Sequence, residues 1–345
     1  MRIRGINYDA GFISAGTTTR EPFDPQVVKR EMQIIHDDLH CNAVRITGGY
    51  PERLEVAAKY AAEAGLEVWF CPFTNNLTGE ELIELLADSA ERAERLRKQG
   101  AEIVFLTGSE LSLMTLGILP GDTMVERAAG LADPLRVRPL IPGIRVRMKE
   151  LLGKAVQAAR ARFGGKLSYA SVPLDGVDWG QFDIIATDAG YRTAAMAARF
   201  RDDIRAYVAQ GRALGKPVAI TEFGCAAYRS ASDMANRGDI VEWDDGARPV
   251  RFKGEYTRDE DEQARYLREL LEVFETEGVD NVFVYTFARY DLTHRSASHE
   301  DFDMASAGLV SVFDDGRRGR RYHDMPWEPK AAFTALAEYY RALDR

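Results

Sequence analysis

Eight apolar runs of strand length alternate with helical periodicity along 345 residues, and three long insertions each follow a strand. Together these observations predict a (β/α)8 barrel. The runs at 103–106 and 218–220 are apolar without alternation, as in parallel strands covered on both faces. No glycine-rich phosphate or dinucleotide loop follows an early strand, which argues against the rival doubly wound open sheet.

The elements follow in order. Residues 3–8 form the first strand, and Asp24-Pro25 opens a helix with an N-cap and a proline at the first position. Its buried stripe is Val27, Val28, Met32, Ile35 and Leu39. Strand two spans 43–46, helix two 51–64 with Gly65 closing it, strand three 66–70, and helix three 79–99 with Gly100 past its end. Strand four is 103–106. Residues 112–143 then carry prolines and little periodicity, before a helical stretch at 144–163 and strand five at 167–172. Strand six is 183–186, its helix 196–214, and strand seven 218–221. A second insertion, 225–257, precedes the helix 259–277. Strand eight is 282–286, the third insertion 288–326, and a helix at 330–343 closes the ring. The whole chain, 1–345, thus reads as one barrel domain. Its long loops after strands four, seven and eight sit on the C-terminal face, where βα loops build a substrate cleft.

A hydrophobic fraction of 46% supplies a large core, and a net charge of −9 argues against nucleic acid or an anionic membrane as the main partner. The arginines at 317, 318, 320 and 321 read as a solvated loop. No signal peptide and no run of about 18 apolar residues is visible, and three cysteines without C-x-x-C spacing suit a reducing compartment. The expectation is a cytoplasmic protein acting on a small molecule.

Two of the apolar strands run into a glutamate: Ile103-Val104-Phe105-Leu106-Thr107-Gly108-Ser109-Glu110 and Pro217-Val218-Ala219-Ile220-Thr221-Glu222-Phe223-Gly224. Strand ends on this face are where such barrels keep catalytic groups. Two carboxyls facing one ligand, one protonated and one ionised, are the equipment of glycoside hydrolysis. Further strand-end candidates for substrate contact are Asn7, Tyr8, Trp179, Asp188 and Phe287.

The segment Pro217 to Gly224 resembles the nucleophile strand of the clan A glycoside hydrolases, and Gly108-Ser109-Glu110 resembles that clan's acid/base strand. The resemblance implies a retaining mechanism, with Glu222 as nucleophile, Glu110 as acid/base and about 5–5.5 Å between their carboxyls. It further implies that Arg45 keeps the nucleophile ionised and that Tyr191 hydrogen-bonds it. The clan usually has asparagine before the acid/base residue, in contact with the sugar 2-hydroxyl. Ser109 stands there in this chain, which puts that contact in doubt.

His36 and His40 have i, i+4 spacing but lie on an outer helix, and no strand end offers a His-x-His pair, so no metal is expected. Cys225 lacks a strand-end histidine to activate it. The sequence therefore predicts a retaining glycosidase or transglycosidase without cofactor, acting on a small glycoside or glycoconjugate. The alternatives are the same carboxylates running elimination, isomerisation or cyclisation on a non-sugar metabolite, or a barrel that binds a ligand without turnover.

Overall fold

The computed structural model describes residues 1–131, 133–234 and 240–343. Its centre is a closed barrel of eight parallel strands. These are β1 (Ile3–Asp9), β2 (Ala43–Gly48), β3 (Glu67–Pro72), β4 (Ile103–Ser109), β5 (Lys166–Ser171), β6 (Ile185–Thr187), β7 (Val218–Ile220) and β8 (Asn281–Val284). Neighbours in sequence are neighbours in the barrel. Closure runs through β1, which pairs with β2 on one side and β8 on the other. The long helices are α1 (Pro25–Asp37), α2 (Pro51–Glu63), α3 (Gly79–Lys98), α4 (Ile141–Arg160), α5 (Phe200–Leu214), α6 (Glu260–Glu277) and α7 (Ala331–Ala342).

Local chemistry sets the helix limits. The Asp24 carboxylate accepts the Gln26 N–H at the start of α1, with Pro25 at the first helical position. Thr78 and Glu81 form a reciprocal capping box at the start of α3. Gly215 and Gly278 end α5 and α6 in the left-handed conformation.

Two departures from the expected pattern have physical causes. Between β5 and β6 the described chain forms only a 3-10 turn, Trp179–Gln181, so no long helix covers that crossover. Within 112–143, where the apolar periodicity is weak, the structure forms the helices Met124–Leu131 and Pro134–Val137, and α4 begins at Ile141. The first of these is nucleated by capping rather than by a stripe: Glu126 accepts the Asp122 and Thr123 N–H groups while its own N–H donates to the Thr123 hydroxyl. The 225–257 stretch carries a hairpin, Val241–Trp243 with Pro249–Phe252. After β8, Val310–Val312 pairs with Trp327–Pro329.

The strand alternation divides the core. Outward residues such as Ile6, Val44, Ile46, Val68, Phe70 and Phe105 pack with the helices in one cluster, while Ile3, Ala43, Trp69, Val104, Leu106, Ala186, Ala219 and Phe283 fill the barrel interior in another. Trp69 and Phe283 meet there at 4.7 Å between ring centroids. A Cβ on Gly5 would stand 2.4 Å from the Phe283 ring, so glycine at that inward position admits the phenylalanine. One inward position closer to the C-terminal ends, the lining turns polar: Asn7 on β1, Arg45 on β2, Cys71 on β3, and Asp188 and Thr221 just past β6 and β7. All five are buried. That polar layer is the floor of the candidate site.

Candidate active site

Glu110 stands where β4 breaks. The β4–β5 register shifts between Leu106 and Ser109, a bulge that turns the strand end. Glu110 itself adopts left-handed backbone angles, φ 48° and ψ 37°. A non-glycine residue in that region is strained, and such strain persists only where the surroundings enforce it. Here the Glu110 N–H donates to the Ala170 carbonyl at 2.9 Å. The following N–H, of Leu111, donates to the Tyr169 hydroxyl at 2.8 Å, and that hydroxyl donates to Asp175 at 2.8 Å.

Glu222 lies two residues beyond β7, 12% exposed at its side chain. One carboxylate oxygen accepts from Arg45 Nη1 at 2.9 Å and the other accepts the Tyr191 hydroxyl at 3.0 Å. Tyr191 can reach because Gly190 precedes it: a Cβ there would lie 2.3 Å from the Ile220 side chain and 2.4 Å from the Glu222 carbonyl oxygen.

Arg45 organises the floor. Its Nη1 lies 3.1 Å from Asp188 Oδ1, 3.1 Å from Asn7 Oδ1 and 3.3 Å from the Thr221 carbonyl, besides its contact with Glu222. Nη2 faces the Cys71 sulfur at 3.6 Å. Asn7 in turn donates to the carbonyls of Thr221, Val284 and Phe283 at 2.8, 3.2 and 3.3 Å, tying β1 to the ends of β7 and β8. Ser109, fully buried, donates to Asp188 Oδ2 at 2.5 Å. Its hydroxyl is therefore directed at Asp188, within the floor.

The sequence candidates thus divide. Glu110, Glu222, Arg45, Tyr191, Ser109, Asn7 and Asp188 come together. Tyr8, Trp179 and Phe287 do not. Since Asn7 points inward, its neighbour Tyr8 must point outward, where it is 1% exposed and its hydroxyl donates to the buried Glu31 at 2.5 Å. Glu31 also takes hydrogen bonds from Arg20, Tyr290 and Trp327, which satisfies this buried charge outside the barrel. Phe287 stacks on Tyr8 and meets Trp327 edge-on, with no exposed surface. Trp179 packs edge-on against Phe182, and its carbonyl accepts from Lys216, just before β7. That places it toward the N-terminal end of the barrel, away from the mouth.

Tyr285 and Arg289 also stand beside the pair without having been singled out in the sequence, whereas their neighbours Asp9 and Asp291 read there as strand-end residues able to bind hydroxyls. Tyr285 follows β8, and burial together with the Glu222 and Asp9 carboxylates pushes its hydroxyl up to about 12. Arg289 makes a two-point ion pair with Asp291 at 2.6 and 2.7 Å. It also faces Asp9, whose carboxyl burial raises above its usual range. The signal for this cluster was only its place, directly after β1 and β8, where polar residues also serve as ordinary turn residues.

The electrostatics separate the site from a simple salt bridge. Burial raises Glu110 well above the usual carboxylate range, helped by the charges of Asp188, Glu222 and Asp175. Among the described residues no side chain donates a hydrogen bond to its carboxylate. Glu222 is pushed up to about 8 by burial and by Asp188, against the opposing pull of Arg45 and Tyr191. Both carboxyls therefore bind protons more tightly in the folded chain than in the unfolded one, where glutamate titrates near ~4.3. Between that value and the raised one the folded chain holds more protons, so these groups make stability fall as pH rises. Glu110→Gln is expected to raise stability by about 1–2 kcal/mol at pH 8 and by less at pH 5. Thermal unfolding of both proteins at the two pH values checks this.

Among the described residues one cluster has metal-ligand chemistry, His294 with Asp301 and Asp303 in the segment after β8. Arg258 Nη2 lies 2.8 Å from Asp301, 2.9 Å from Asp303 and 3.2 Å from His294 Nδ1, so a guanidinium already fills the place of a cation. Burial pushes the Cys225 thiol upward, which makes it a poor nucleophile.

Comparison with solved structures finds the same (β/α)8-barrel fold. The β-glucuronidase of Parabacteroides merdae superposes with a TM-score of 0.57 at 16% identity, over 99% of this chain and 36% of that one. A Bacteroides uniformis β-glucuronidase covalently bound to cyclophellitol-6-carboxylate aziridine gives 0.57 at 12% identity, over 99% and 35%. Thermotoga maritima Cel5A in complex with cellobiose gives 0.51 at 11% identity, over 88% and 96%. The chain spans about a third of the length of the β-glucuronidases it resembles. No family model matches the chain, and no curated protein sequence does. At these identities the likeness is one of fold. Among the described residues no helix is long and apolar enough to cross a membrane.

Proposed function

We propose that this chain is a retaining glycosidase or transglycosidase acting on a small glycoside or glycoconjugate, with Glu222 as nucleophile and Glu110 as acid/base. The observation that carries the reading is the unequal setting of the two carboxyls at one mouth. Glu222 is cradled by a guanidinium and a phenol, the partners of an anion. Glu110 has burial and neighbouring negative charge but no hydrogen-bond donor among the described residues, the setting of a neutral acid.

In the first step Glu222 attacks the anomeric carbon as Glu110 gives its proton to the leaving oxygen. In the second, Glu110 takes a proton from water, or from an acceptor hydroxyl, as that oxygen bonds to the anomeric carbon and displaces the Glu222 carboxylate. Arg45 and Tyr191 stabilise the carboxylate before attack and again when it leaves. The proton-binding tendency of Glu222 means that kcat/KM in the free enzyme rises with pH toward about 8, as that group ionises.

The test is a panel of activated aryl α- and β-glycosides, pyranosides and furanosides, with wild type and Glu222→Gln. Turnover of a member with retained anomeric configuration, lost in the variant, supports the reading and names the sugar. No turnover across the panel, together with Glu110-dependent conversion of another metabolite class, supports the second reading: the same pair moving protons on a non-sugar substrate. That reading draws on Ser109, which is turned to Asp188 rather than left for a sugar hydroxyl.

A further inference from the structure

We infer that Asp188 is a positioning residue of this site: held by Ser109, it divides the Arg45 guanidinium with Glu222 and so governs how firmly that guanidinium grips the nucleophile. The inference rests on the proposed role of Glu222, and its test reads Glu222 directly, without substrate.

The argument begins with hydrogen counting. Arg45 Nη1 carries two hydrogens. Four oxygens lie within 3.3 Å of it, from Glu222 at 2.9 Å, Asp188 and Asn7 at 3.1 Å, and Thr221 at 3.3 Å. They cannot all be served at full strength. The other end of the guanidinium gives no relief: Nη2 faces a thiol, and Nε has no hydrogen-bond partner among the described residues. The two carboxylates therefore compete for one nitrogen in a buried setting, where Arg45 and Asp188 both have side-chain exposures of 0%.

Asp188 enters that competition with its second oxygen already bound. Ser109 Oγ donates to Oδ2 at 2.5 Å, which leaves Oδ1 directed at Arg45. The backbone fixes the same geometry, since the Asp188 N–H donates to the Ser171 carbonyl at 2.9 Å. The charged and titratable groups facing Asp188 are Arg45 from β2, Cys71 from β3, Glu110 from the end of β4, Glu222 from the end of β7 and Tyr207 from α5. Of these only Arg45 is a cation. Asp188 acts on Glu222 in two ways: it shares the cation and it adds like charge. Both favour the protonated nucleophile, in line with the upward displacement of Glu222.

This gives the serine before Glu110 a task of its own. A residue there that reached for a substrate hydroxyl would leave Asp188 with an unbound buried oxygen. Ser109 and Asp188 thus form a unit, and the unit sets the pH at which Glu222 is an anion.

The test is carboxyl 13C NMR of glutamate-labelled protein, with the Glu222 resonance assigned by its loss in Glu222→Gln. Asp188→Asn keeps the shape and an acceptor for Arg45 but removes the charge. The Glu222 midpoint is expected to fall by about one to two pH units relative to wild type. An unchanged or raised midpoint overturns the inference. Where a glycoside is turned over, the acid limb of kcat/KM shifts by the same amount, a change that simple loosening of the fold does not produce. If Asp188→Asn does not fold, Ser109→Ala serves instead. Freed from the serine, Asp188 draws harder on Arg45 and the Glu222 midpoint rises; a fall or no change overturns the inference. A midpoint that responds to Asp188 in a protein without glycosidase activity would sink the proposed function while leaving the positioning role intact.

Discussion

Glu222→Gln lowers kcat/KM by about 10^4-fold or more on any glycoside that the panel identifies, because an amide cannot form the covalent glycosyl ester. The variant keeps an oxygen for Arg45 and a partner for Tyr191, so its fold and its ligand affinity are expected to persist. That separates loss of chemistry from loss of structure. The outcome is sharper with Glu222→Ala and added azide. A small anion entering the vacated space attacks the same face of the sugar, gives the glycosyl azide of inverted configuration, and restores turnover of substrates with a good leaving group. Glu110→Ala with azide gives the opposite stereochemistry, because there the azide attacks the glycosyl–Glu222 intermediate. Equal stereochemistry from the two variants would contradict the assignment of roles.

The second large effect falls on stability. Arg45→Met removes the cation from a floor that holds Asp188 and Glu222. Leaving a buried carboxylate without its partner costs about 3–5 kcal/mol. The loss should be greatest at alkaline pH, where Glu222 must otherwise ionise unaided, and smaller near pH 5, where protonation relieves it. Urea unfolding of wild type and Arg45→Met at pH 5 and pH 9 measures both the size and the sign of this dependence. A penalty equal at the two values would mean that Arg45 acts through packing alone.

The barrel was legible in the sequence because parallel strands buried on both faces are written as continuous apolar runs. Polar residues that interrupt such runs stand out. Glu110 and Glu222 lie within four residues of the ends of theirs and so stand out in residue order, whereas Arg45, inside Ala-Val-Arg-Ile-Thr, and Tyr191 are reached through the resembled pattern. Ring placement was less legible. Asn7 and Tyr8 were both candidates for the mouth, yet adjacent strand residues face opposite sides, and an inward Asn7 excludes Tyr8. Phe287 follows Tyr8 into the helix layer through contacts with Tyr8 and Trp327, the latter forty residues further along the chain, which no local pattern announces. Trp179 reads from the sequence as an aromatic near a strand end. The connection to β6 lacks a long helix, and its 3-10 turn carries Trp179 to the opposite end, where Lys216 holds its carbonyl.

The floor shows a different limit. Ser109 was visible as a departure from the resembled pattern, but its partner was not, because Asp188 is 79 residues away and is joined to it only across the closed barrel. Likewise the β4 bulge and the left-handed backbone at Glu110 depend on the pairing with β5, which the sequence of β4 does not encode by itself.

The central claim is that Glu222 forms a covalent bond to a sugar. It is tested most directly by treating the protein with an activated 2-deoxy-2-fluoro glycoside of the sugar that the panel identifies. The fluorine slows both steps, while the good leaving group keeps the first fast enough for the intermediate to accumulate. Intact-mass spectrometry followed by peptide mapping should find one glycosyl adduct, on the peptide that contains Glu222, and none in Glu222→Gln. An adduct on any other residue, or turnover with inverted anomeric configuration and no adduct, would contradict the account.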